Sequence, residues 1–111
     1  MGGLHSMTES DTTAVVVAGG AGVNLLTING FSVNMGAGSG IPYLYVYDLN
    51  TTTGVTAGGD WIMKLPIGEY AAVVGTPYPM THSWDSASLA KGLAVILVPA
   101  GNVISLTIEF G

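Results

Sequence analysis

Short runs of β-branched and aromatic residues, cut every few positions by Gly, Pro or Asn, leave this chain almost no way to fold except as strands. Apolar residues at helical spacing are nearly absent, whereas period-two alternation recurs between turn signals. Val103–Phe110 is the clearest case. Ile104, Leu106, Ile108 and Phe110 fall on one face, and Ser105, Thr107 and Glu109 on the other. Leu93–Val98 is apolar at every position, which predicts a strand with both faces covered. Pro99-Ala100-Gly101-Asn102 between them reads as a four-residue hairpin loop.

The same reading places a first strand at Ala14–Ala18, followed by a flexible Gly19-Gly20-Ala21-Gly22 connection. In Leu25–Met35 the alternation changes parity. Leu26 and Ile28 share one face, then Phe31, Val33 and Met35 take over, which predicts a bulge or corner at Asn29-Gly30. Gly36–Gly40 reads as a loop, Tyr43–Leu49 as a strand after Pro42, and Asn50–Gly54 as a turn. Trp61–Leu65 and Tyr70–Val74 read as strands around a Pro66-Ile67-Gly68-Glu69 hairpin loop, and Thr76–Thr81, with Pro77 and Pro79, as an irregular connection. One helical turn is expected at Ser86–Lys91, with Asp85 as N-cap and Gly92 as stop. The expectation is an all-β, single-domain β-sandwich, jelly-roll-like, of about seven or eight short strands with at most one short helical turn. It spans residues 14–111, and residues 1–13 form a disordered or added N-terminal segment. Met7 is an alternative start, which would make Met1–Ser6 the added part.

Charge narrows what such a sandwich does. Only 8% of the 111 residues are charged, against about 25% in an ordinary soluble domain. A β domain this short of charge cannot solvate its whole surface, so part of it is expected to be covered by other subunits. Lys64 and Lys91 stand against seven acidic residues, for a net charge of -5. That balance excludes nucleic acid, whose recognition needs clustered Lys and Arg, and disfavours anionic membrane surfaces. The longest apolar runs, Leu93–Ala100 and Ala14–Gly22, fall far short of the ~20 residues of a membrane span. Met1–Thr13, with Glu9 and Asp11, is too polar for a signal peptide. With no Cys there is no disulfide, thiolate metal site or thiol nucleophile. This fits the cytosol and an extracellular particle alike.

No motif assembles a reaction. Val15–Gly22 superficially resembles a dinucleotide-binding strand and turn, but the glycines lead into Val23–Ile28, another strand, and the third glycine is missing. Gly36-Ala37-Gly38-Ser39-Gly40 has the composition of an anion nest, but no Lys follows in phosphate-binding spacing, and it reads as a mobile loop. His82, Ser83 and Asp85 sit too close in sequence for a triad, and His82 with Asp85 and a distant His5 makes a weak metal set. They read as a polar loop bonding to its own backbone. Asp48, Asp60, Glu69, Asp85 and Glu109 contain no pair that spacing singles out for acid–base work. Asn50-Thr51-Thr52 matches a glycosylation acceptor, a chance match without a signal peptide. No cofactor or metal is implied.

The aromatic residues are the stronger candidates. In an extended strand Tyr43, Tyr45 and Tyr47 share a face. That row fills core or edge, forms a subunit interface, or offers a platform for sugar rings. Trp61 and Trp84 divide in the same way, with Trp84, in a turn-rich stretch, expected to be the more exposed.

Gly22-Val23-Asn24-Leu25-Leu26-Thr27-Ile28-Asn29-Gly30, then Tyr45-Val46-Tyr47-Asp48, Gly92-Leu93-Ala94-Val95 and Val103–Phe110 together resemble the small all-β virion proteins of tailed bacteriophages that decorate heads or form fibre knobs. The resemblance covers most of Thr13–Gly111 and rests on generic sandwich features. It implies a jelly-roll-like sandwich that assembles as a trimer or higher ring, without catalytic residues. The expected function is therefore a non-enzymatic structural protein that self-associates and docks on a larger protein assembly, in the virion or, during assembly, in the host cytoplasm. The alternative is a carbohydrate-binding module reading a surface glycan through Tyr or Trp stacking.

Overall fold

The computed structural model describes residues 2–36, 38–69 and 73–111, with the backbone alone at Ser86. Eight strands follow in order: β1 (Gly3–Thr8), β2 (Val15–Gly19), β3 (Val23–Val33), β4 (Tyr43–Asp48), β5 (Met63–Pro66), β6 (Pro77–Leu89), β7 (Gly92–Val98) and β8 (Val103–Phe110). They form two four-stranded sheets, β1-β8-β3-β6 and β2-β7-β4-β5. The pairings are nested and all antiparallel: β1 with β8, β2 with β7, β3 with β6, β4 with β5. The chain is thus one long hairpin rolled up from its closed end. The pairs β3·β8 and β4·β7 join neighbouring turns of the roll into sheets. This is the jelly-roll-like β-sandwich that the strand pattern predicts.

Rolling has a consequence for the connections. Only β4 and β5 are successive strands of the same sheet; every other link crosses between sheets. One expected hairpin is therefore a cross-sheet arch: Pro99–Asn102 carries the chain from β7 in one sheet to β8 in the other. Pro66 ends β5, and the link on to β6 also changes sheets. A short loop suits either geometry, and the far partner strands decide which forms. In the arch Asn102 is buried, and its Nδ2 donates to the carbonyls of Gly40 (2.8 Å) and Pro99 (3.0 Å).

The core lies between the sheets. Ile104, Leu106 and Ile108 of β8 face Leu93, Val95 and Leu97 of β7, with Leu25, Ile28, Leu44 and Val46 completing a fully buried centre. Each such side chain contributes about 1.5–3 kcal/mol through removal from water. Phe110 packs against this core from the end of β8.

Four expectations are corrected. Residues 3–8, assigned to a segment outside the fold, form β1, and Met7 is buried in the core. The Ser86–Lys91 helical turn does not form. Strand β6 runs on to Leu89 because Val23, Asn24 and Leu25 pair with Leu89, Ser88 and Ala87. Six residues cannot nucleate a helix against a waiting strand edge. Of Thr76–Thr81, all but Thr76 is strand rather than irregular, since Pro77 and Pro79 lie in β6, an edge strand, where a missing N–H is tolerated. The parity change in β3 falls between Leu25 and Thr27, not at Asn29-Gly30. Leu25 and Ile28 share the inner face, and Phe31 points outward.

Gly30 is held for a different reason: a Cβ there would lie 2.1 Å from the Ser105 carbonyl oxygen. Of the Tyr70–Val74 strand expected from sequence, residues 70–72 lie outside the described residues. Val73 and Val74 sit exposed ahead of β6.

Candidate functional site

The outer face of the β2-β7-β4-β5 sheet departs most from an ordinary sandwich. Side chains on β4 and β7 alternate between the core and this face, and the outward set is itself apolar. Tyr45, Tyr47 and Ala94 form a second buried cluster with Val55, flanked by half-buried Val16, Tyr43, Ile96 and Val98. The strand expected to be covered on both faces is buried on both from Gly92 to Val95, with Ile96 and Val98 half-buried on the outer one.

Part of the cover comes from the 49–62 segment joining β4 to β5. Val55 is buried among exposed Thr and Gly neighbours and plugs the cluster. The Tyr47 hydroxyl donates to the Thr56 carbonyl and accepts the Thr56 N–H (3.3 Å), clasping the segment onto the sheet. The clasp reaches only the Tyr47 end. Ile96, Val98 and Tyr43 lie toward the other end of β4 and β7, where Tyr43 pairs with Val98.

The five aromatic candidates separate. Tyr45 and Tyr47 are buried by their own chain, at 7% and 2% exposure, while Tyr43 is half-buried. Tyr43 and Tyr45 stand 6.2 Å apart, Tyr45 and Trp61 6.1 Å, each pair tilted. The Lys64 ammonium sits 4.3 Å over the Tyr43 ring, a cation–π contact. Trp61 is 40% exposed. Trp84 is half-buried against the main core, stacked on His82, so the expected order of exposure is reversed. Its stretch is strand rather than turn, and its parity turns it inward.

The opposite outer face, on β1-β8-β3-β6, carries Ser6, Thr8, Thr81, Ser83, Ser105 and Thr107. Its end is apolar: Phe31, Met35 and Val103 are exposed beside Pro77 and Pro79. The cross-strand pairs Val33·Val103, Val33·Pro77 and Phe31·Pro79 place Phe31, Val33, Val103, Pro77 and Pro79 on one surface, with Met35 just past the end of β3. The parity change at Leu26 turns them outward, and a jump placed at Asn29-Gly30, three residues later, conceals this.

His82, Ser83 and Asp85 lie on β6, not in a loop. His82 turns to the half-buried side, with Nε2 3.4 Å from the Pro66 carbonyl, while Ser83 and Asp85 turn to solvent. Strand alternation therefore separates the histidine from the other two. His5 is on β1, at the far edge of the same sheet, about 14 Å away at three strand spacings. Among the described residues no three His, Asp or Glu side chains come together.

Five N–H groups of the glycine-rich segments are already bonded within the chain. Gly20 and Gly22 N–H groups bond to Lys91 and Leu89 carbonyls, and Gly36, Ser39 and Gly40 N–H groups to Asn34, Gly36 and Ala100. The strand after Gly22 is β3, so the first segment is the expected β–β connection.

One polar site is missing from the sequence reading. The Asp48 carboxylate, at the end of β4, accepts the N–H groups of Ala90 (3.0 Å), Lys91 (2.8 Å) and Gly92 (3.3 Å) in the β6–β7 turn. Desolvation pushes its pKa up, but the three N–H donors and the nearby Lys91 charge outweigh that and hold it below the usual carboxylate value. Beside it an open cavity of about 660 Å³ runs between the 49–62 segment and this turn, lined among others by Leu49, Thr53, Thr56, Asp60, Ile62 and Lys91. No sequence pattern marks it, because Asp48 and Lys91 are far apart along the chain.

Comparisons of the chain with protein-family models, curated proteins and solved structures return no match.

Proposed function

We propose that this chain is a non-enzymatic assembly protein, a structural component of a larger particle such as a virion, whose work is to associate with copies of itself and dock on that particle. The observation that carries the reading is the outer face of β2-β7-β4-β5. There a second apolar cluster is clasped by the 49–62 segment at one end and left half-covered at Tyr43, Ile96 and Val98. A second apolar area, around Phe31, Met35 and Val103, lies on the opposite outer face. Two separate areas of this kind suit a protein that meets its own copies on one side and a different surface on the other. A chain with 8% charged residues offers little to keep such faces apart.

Jelly-roll sandwiches also serve in lectins and cupins, so the fold by itself does not choose. Solution mass by size-exclusion chromatography with light scattering tests the reading. A stable trimer or larger ring is expected, and a monomer at all concentrations would overturn it.

A further inference from the structure

We infer that the cavity between the 49–62 segment and the β6–β7 turn binds a neutral saccharide unit, a function separate from self-association. Its volume of about 660 Å³ lies within the ~300–1,000 Å³ range of small-molecule sites. The charges in it decide the ligand class. Asp48 already accepts three backbone N–H donors. What remains is the Asp60 carboxylate, which makes no hydrogen bond or ion pair with another described residue, and the exposed Lys91 ammonium. With the ionised Asp48 also in the lining, the two carboxylates outnumber the one ammonium and turn anions away, while the unbonded Asp60 oxygens and the Lys91 N–H groups suit a ligand that offers both hydroxyl donors and hydroxyl acceptors.

A phosphate or nucleotide would meet one lysine and be repelled by Asp60. A wholly apolar ligand would strip water from Asp60 and Lys91 without replacing it. A sugar ring avoids both costs. Its hydroxyls exchange water bonds for those of Asp60, Lys91 and the Thr53 and Thr56 side chains, and its C–H face meets Ile62 and Leu49. The cavity also stands clear of the half-covered apolar area. It adjoins Asp48, which pairs with Leu93, whereas Tyr43 pairs with Val98, about 17 Å away along β4. Occupancy of one therefore leaves the other open.

The test is a two-dimensional NMR titration of the full chain with the methyl glycosides of glucose, galactose and mannose and with N-acetylglucosamine, set against glucuronate and sialic acid as charged controls. Saturable shifts are expected for at least one neutral sugar, confined to amides of residues 48–62 and 89–92. Asp60→Asn should weaken that binding roughly tenfold or more, the loss of a hydrogen bond to a charged group. Thr53→Ala, an exposed position, should weaken it less. Shifts elsewhere, binding of the acidic sugars alone, unchanged affinity in a folded Asp60→Asn protein, or no saturable shift with any neutral sugar would each overturn the assignment. None of these outcomes bears on the oligomeric state, so the two proposals fail separately.

Discussion

The Asp48 Oδ1 atom accepts the Lys91 backbone N–H at 2.8 Å, tying the end of one sheet's central strand to the turn that delivers the chain from the other sheet. With Ala90 and Gly92 also donating, one carboxylate satisfies the turn that replaces the expected helical stop. Its depressed pKa fixes the sign of the pH dependence. The stabilisation is fully present above the unfolded value of about 3.9 and is lost as pH falls through the lower folded value. Asp48→Asn should cost about 1–3 kcal/mol at neutral pH. It should also make the acid limb of a stability–pH curve shallower, measured by urea unfolding at several pH values.

The Tyr47 hydroxyl is the clasp of the 49–62 segment, and Thr56, its partner, is exposed. In Tyr47→Phe the freed Thr56 groups can turn to water, so global stability should fall by only about 1 kcal/mol. The local effect should be larger. Faster amide exchange across residues 50–60 and earlier proteolytic cutting near Ala57-Gly58-Gly59 are expected. Exchange unchanged there would mean that Val55 alone holds the segment.

Two glycines of the same chain should respond in opposite ways to alanine. At Gly30 the added methyl meets the Ser105 carbonyl at 2.1 Å, so β3 and β8 must move apart. A loss of about 3 kcal/mol or more is expected, the upper range for overpacking. At Gly58 nothing lies within 4 Å, and the change should stay within about 0.5 kcal/mol. Thermal melts of the two variants side by side check the contrast.

What the sequence discloses follows from how local each determinant is. Val103–Phe110 is legible because one face meets the core and the other meets water, so its period is uninterrupted. Leu93–Val98 is legible as two-sided, but its outer cover hinges on Val55, a single apolar residue in a run of Thr and Gly. The adjacent Leu25 and Leu26 leave the bulge ambiguous, since either can be the inward residue until the pairing with β6 and β8 decides. Strand β6 is hidden by its prolines and by a Ser-Ala-Ser-Leu stretch that suits a helical turn equally well; its partner residues Val23–Leu25 are remote in the chain. The cavity beside Asp48 exists only once β4 and the β6–β7 turn meet, so no local pattern can announce it.

The two apolar outer areas make the assembly reading divisible. Ile96 on β7 and Phe31 on β3 both point away from the core, Ile96 half-buried and Phe31 40% exposed. A carboxylate at either position leaves the inner packing untouched, so Ile96→Asp and Phe31→Asp should both fold, verified by circular dichroism and melting temperature. If copies meet through the β2-β7-β4-β5 face, Ile96→Asp buries a charge without a partner at the contact and should shift the solution mass to that of a monomer. Phe31→Asp should then leave the oligomer intact and impair docking on the larger particle instead. The reverse pattern would assign self-association to the Phe31 face. An oligomer indifferent to both substitutions would place the contact on the strand edges, where β1 and β6 on one sheet and β2 and β5 on the other offer unpaired backbone.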